Sequence, residues 1–102
     1  MDAQIKKGIL EMCILHIISE KAVYGYDIIQ RMHSFFPEVT ESTFYAILRR
    51  LHKDGATDIF QSSDSKGPVC KYYTITEQGL ESLARARADW EHLKNIVEEM
   101  GI

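Results

Sequence analysis

Only two prolines and six glycines occur in 102 residues, far below the quarter or more of the chain that collagenous, low-complexity or linker-rich sequences devote to them. Cysteine is equally scarce. Cys13 and Cys70 stand without a C-x-x-C pair or a histidine-rich neighbourhood, which excludes a disulfide framework and the usual zinc spacings. Both are expected to be buried thiols, as isolated cysteines commonly are. No run approaches the roughly 18 consecutive apolar residues of a membrane span, and the longest candidate, Ile9 to Ile18, is interrupted by Glu11 and His16. The start, Met1-Asp2-Ala3-Gln4, lacks the basic-then-apolar layout of a secretory signal, so a cytoplasmic location without a membrane partner is expected.

An excess of positive charge is missing too: 12 Lys and Arg against 15 Asp and Glu leave a net charge of -3. This argues against a uniformly basic nucleic-acid binder. It leaves room for a local basic surface, because recognition depends on how charge is distributed. His16, His33, His52 and His92 fall on four separate predicted helices without i, i+4 pairing or a nearby cysteine, so no convergent base, nucleophile or metal ligand is expected. No catalytic residue, metal or cofactor follows from the sequence, and an enzyme is not expected.

What is present reads as one domain with 45% hydrophobic residues, enough to bury about two thirds of the unfolded chain's surface without staples. Ile5 to about Ser19 is apolar on most faces in its second half, the pattern of a helix covered by others. Gly25 opens a second helix carrying Ile28, Ile29, Met32 and Phe35 at helical spacing, and Pro37 stops it. Thr40 is a plausible N-cap for a third, in which Phe44, Ile47, Leu48 and Leu51 recur at i, i+3, i+4 and i+7. Beyond Gly55 the pattern changes. Thr57 to Gln61 and Cys70 to Thr76 are rich in β-branched and aromatic residues around a polar turn, Ser62 to Pro68, and read as one hairpin. Thr76 then caps a helix to about Met100, with Gly79 at the position where Glu or Gln is usual. Along that helix Leu83, Ala86, Trp90, Leu93, Val97 and Met100 alternate spacings of three and four, the stripe of a helix seeking a partner helix.

The expected architecture is therefore mainly α with a two-stranded β-wing: a winged helix-turn-helix over residues 1–76, and a long C-terminal dimerisation helix over 77–102, forming one compact unit. If the third helix enters a major groove, its outer face should be compact and polar at the entering end and cationic further along. Stepping 100° per residue from its apolar stripe, Ser42, Ala46, Arg49 and Lys53 are outermost, with Tyr45 and Arg50 flanking. Ser42 and Tyr45 can bond phosphates or base edges, Ala46 permits close approach to a thymine methyl, and Arg49 can reach phosphate or guanine. Lys66 at the hairpin tip and Lys71 in its second strand can meet the backbone or minor groove. Such cations also occur on merely solvated helices and turns.

Three blocks together, Val23-Tyr24-Gly25-Tyr26-Asp27-Ile28, Thr43-Phe44-Tyr45-Ala46-Ile47-Leu48-Arg49-Arg50-Leu51 and Lys71-Tyr72-Tyr73-Thr74-Ile75-Thr76-Glu77-Gln78-Gly79, resemble the PadR family of bacterial transcriptional regulators. The resemblance implies a homodimer joined through the C-terminal helix, usually a repressor released from duplex DNA by a small molecule. It places Tyr45 and the N-terminal end of its helix at the DNA, so the candidate DNA-facing set is Tyr26, Ser42, Thr43, Tyr45, Ala46, Arg49, Lys53, Lys66 and Lys71. The chain also resembles the compact, multidrug-responsive branch of the family, in which a flat apolar pore holds paired tryptophans. Trp90 stands at the matching position, with Ile5, Gly8 and Met12 of the first helix facing it; a small aromatic or drug-like effector is the implied ligand. Trp90 can equally serve only to fill the dimer seam.

Three departures from the family's pattern stand out. Ser42 replaces a glycine and Ala46 a frequent proline, which bears on the operator sequence, and Ala56-Thr57 replaces a more apolar pair, implying a looser packing of the wing. Two other readings stay open: a winged-helix module that contacts protein and no DNA, and a ligand sensor whose weak DNA binding needs another factor.

Overall fold

The computed structural model describes residues 3–62 and 70–102. In chain order these form α1 (Ala3–Glu20), β1 (Val23–Tyr24), α2 (Gly25–Phe35), α3 (Glu41–Lys53), β2 (Thr57–Ser62), β3 (Cys70–Ile75) and α4 (Glu77–Met100). No helix among them is long and apolar enough to cross a membrane.

Local chemistry sets the boundaries. Thr40 has extended backbone, and its Oγ1 accepts from the Thr43 N–H at 3.3 Å, starting α3. That helix ends where Gly55 takes φ +82°. There the Gly55 N–H donates to the His52 carbonyl at 3.0 Å and the Ala56 N–H to the Leu51 carbonyl at 2.9 Å, closing the last turn with a left-handed glycine. Thr76 plays the capping role for α4: its Oγ1 accepts from the Gly79 N–H at 3.0 Å and donates to the Gly55 carbonyl at 2.6 Å. One threonine thus ties the start of α4 to the end of α3.

α1 is the axis of the core. Its Ile14 and Ile18 are fully buried together with Ile28, Ile29 and Met32 of α2 and Phe44 and Leu48 of α3, so three helices share one apolar centre. Leu83 brings the first half of α4 into the same core. The second half of α4 leaves it, giving the molecule extents of 57 × 30 × 20 Å.

The sheet has three antiparallel strands in the order β1-β3-β2, not two. Val23 pairs with Tyr73 and Tyr24 with Tyr72, on the far side of the β2–β3 ladder that runs from Thr57↔Ile75 to Ser62↔Cys70. A two-residue strand is too short for alternation to reveal it. What holds it is the close packing of Gly25, where an added Cβ would lie 3.0 Å from the Tyr73 ring.

The base of the wing is tightly packed, in contrast to the looseness that Ala56-Thr57 implied. Ala56 and Thr57 are only 4% and 2% exposed, because the α4 N-terminus lies directly against them: a Cβ on Gly79 would stand 2.1 Å from the Ala56 carbonyl oxygen. A capping glutamate cannot occupy that position. The cysteines also differ from expectation, being half-buried. Burial pushes the Cys13 thiol up from its ordinary value, while Cys70 opens β3, the middle strand, in hydrogen-bond contact with the Tyr24 hydroxyl, which raises the Tyr24 pKa.

Candidate nucleic-acid interface

α3 presents two opposite faces. Phe44, Ile47, Leu48 and Leu51 are buried, while Ser42, Thr43, Tyr45, Ala46, Arg49 and Lys53 are all exposed. At its N-terminus the Thr40 hydroxyl lies 3.0 Å from that of Ser42 and 2.9 Å from that of Thr43. Three hydroxyls therefore crowd the end of the helix where free N–H groups and the helix dipole favour an anion. Thr40 belongs to this cluster through its capping geometry, which sequence reasoning used only to locate the helix.

The remaining candidates come from other elements. Tyr26, in the first turn of α2, and Lys71, on β3, are exposed, and with Tyr45 of α3 they line one cleft of about 240 Å³ floored by Gly25 and Tyr73. Pairing of β1 with β3 is what brings the start of α2 beside Lys71. Burial raises the Tyr73 pKa, neighbouring Tyr45 raises it further, and the Arg49 guanidinium lowers it. Arg49 thus lies within electrostatic reach of the same cleft. Lys66 lies outside the described residues.

Arg50 behaves differently from its neighbour. Its guanidinium is paired with the Glu11 carboxylate of α1, so it anchors α3 to α1 and is not part of the outward cationic line. The end of the helix is held as well, by the His52 ring nitrogen 3.0 Å from the Thr57 carbonyl oxygen. A rigidly seated helix with a polar, cationic outer face can be read against base edges, whereas a mobile one would lose register.

The candidates for a ligand site converge elsewhere. Gly8, Ile9 and Met12 of α1 and Ala86, Asp89, Trp90 and Leu93 of α4 line a shallow groove of about 410 Å³. Gly8 has open space where a side chain would be. Ile5 belongs to α1, but its side chain lies outside the described residues. Trp90, 42% exposed, continues into an uncovered apolar stripe: Leu93 is 55% exposed and Met100 70%. Among the described residues no group of three or more His, Cys, Asp or Glu side chains is placed to hold a metal ion.

Comparisons with known proteins bear on the family and the fold. The model of the transcriptional regulator PadR-like family matches residues 14–85. A curated protein of Lysinibacillus sphaericus, itself uncharacterized, is 34% identical over 100 residues, covering 94% of this chain and 91% of its own. The crystal structure of a PadR-like transcriptional regulator from Bacillus cereus is 36% identical and superposes with a TM-score of 0.83 over 96% of each chain. That of a Streptococcus transcriptional regulator, 28% identical, gives 0.86 over 99% of this chain and 100% of its own. With a family match over residues 14–85 and structural likeness over nearly the whole chain, the chain belongs to the PadR-like family, as a DNA-binding transcriptional regulator and not an enzyme.

Proposed function

We propose that the protein is a homodimeric repressor that reads a roughly palindromic operator through α3 and is released by a small aromatic effector. The observation that carries the DNA half is the cleft where Tyr26, Tyr45 and Lys71 meet beside the exposed face of α3. In this reading Ser42, Thr43 and Ala46 approach base edges, Arg49 and Lys53 reach a guanine or phosphates, and Tyr26, Lys71 and Lys66 hold the backbone.

The stripe Trp90, Leu93, Val97 and Met100 supports a second copy as the partner of α4, residues 77–102 acting as the dimerisation helix. A surface this apolar on one face of one helix marks an interface in a water-soluble chain. Twofold symmetry then sets half-sites about one helical turn, roughly 34 Å, apart. Trp90 and Met12 would sandwich a planar ligand between α4 and α1, and Asp89 at the rim favours one that carries positive charge.

Selection from random duplex DNA at about 150 mM salt, where unspecific phosphate attraction is already weakened, tests the proposal. Enrichment of an inverted repeat is expected. No enrichment from a folded, dimeric preparation would overturn it in favour of a protein-contact module. Trp90 fluorescence titrated with planar aromatic cations tests the effector; unchanged emission across a diverse panel would leave Trp90 as packing alone.

A further inference from the structure

The recognition helix has two flanks, and the cleft just described covers one of them. On that side Tyr45 faces β3; on the other, Thr43, Ala46 and Arg50 face the first turns of α1 across a groove of about 410 Å³. Lys6 and Lys7 line that groove. We infer that Lys6 and Lys7 form a second phosphate-binding flank of the interface, taking the DNA strand on the side of α3 opposite the tyrosine cleft; this rests on the DNA-binding reading above.

The geometry of a duplex calls for such a flank. A major groove is about 12 Å wide, and a helix with its side chains is about 10 to 12 Å across, so a helix seated in it has a phosphate strand along each side. The flank made by Tyr26 and Lys71 serves one strand. Ala46 belongs both to the outward face of α3 and to the lining of the α1 groove, so that groove opens toward the bases and the second strand passes its mouth.

Charge points the same way. Arg50 is neutralised by Glu11, whereas neither Lys6 nor Lys7 forms an ion pair among the described residues. Glu38 is the acid on the groove's rim, leaving the two lysines in excess. In a chain with net charge -3, two adjacent cations without an ion pair among the described residues, beside the hydroxyls of Thr40 and Thr43, mark a place for polyanion, not an average surface.

The test is the salt dependence of binding to a labelled random-sequence duplex of about 24 base pairs, followed by fluorescence anisotropy between about 50 and 200 mM KCl. Each phosphate contact contributes about 0.9 to the slope of log K against log salt. Lys6→Gln/Lys7→Gln is expected to lower that slope by about 2 and to weaken binding on the order of tenfold, equally for all sequences. Lys6→Arg/Lys7→Arg, which keeps the charge, is expected to bind like the parent. If the glutamine pair leaves the slope unchanged while Arg49→Ala weakens binding, the α1 flank is refuted and the α3 reading stands. If the arginine pair is as weak as the glutamine pair, charge is not the cause and the inference falls. A parent protein that does not bind the duplex at the lowest salt overturns both.

Discussion

Gly79 is where sequence and structure are most tightly coupled at the scale of one residue. Its absent side chain lets the α4 N-terminus lie on the Ala56 carbonyl, and its N–H is the group Thr76 caps. Gly79→Ala would gain about 1 kcal/mol of helix propensity in isolation, yet the 2.1 Å clash must push α4 off the sheet. We expect a net loss of about 3 kcal/mol or more, of the order seen for overpacking of a dense core, read as a lowered urea midpoint at constant slope. A second residue gives a pH signature. Tyr73 is raised above its ordinary value near 10 chiefly by burial, so the folded state holds that proton more tightly than the unfolded chain does. Its contribution is fully present below pH 10 and is lost as pH rises through the higher folded value. Stability should therefore be level to about pH 10 and then fall, and Tyr73→Phe should flatten the fall; an alkaline limb identical to the parent's would contradict this.

At the scale of elements, legibility followed periodicity. Four helices, the hairpin and the caps Thr40 and Thr76 were all readable because amphipathic spacing and capping chemistry act over a few neighbouring residues. β1 was not, since two residues carry no period and its pairing with β3 is set by a contact some fifty residues away. The same limit applies to the site. The exposed side chains of α3 could be projected from its buried stripe, but the pairing of Arg50 with Glu11, the cleft of Tyr26 with Lys71, and the nearness of Lys6 and Lys7 to Thr43 depend on how helices cross. α4 supplies the element's own prediction. Leu93→Asp/Val97→Asp places carboxylates in the uncovered stripe; in the proposed twofold dimer every lesion counts twice, and about 4 kcal/mol of dimer stability should go. Helicity by circular dichroism should persist while sedimentation shifts to the monomer. An unchanged association constant would mean that the stripe meets no partner.

For the whole molecule, the extents of 57 × 30 × 20 Å come from a small core with half a helix projecting from it. In the proposed dimer a second copy covers that projection, and sedimentation equilibrium is expected to return twice the 11.7 kDa of one chain; a mass of 11.7 kDa at micromolar concentration would argue for a monomer. α1 holds this whole together in a way that bears on how the protein can change over time. Between Lys6 and Glu20 only Lys7, Gly8, His16 and Glu20 are exposed, and three of these four line grooves: Lys7 toward α3, Gly8 toward Trp90, His16 toward Phe35 of α2. An alteration to almost any of these positions is felt in the core, beside α3 or beside Trp90. In a saturation library α1 should be the segment with the fewest neutral replacements, and on the proposed reading new operator or effector preferences should arise first on α3 and α4, whose outer faces can drift without disturbing one another.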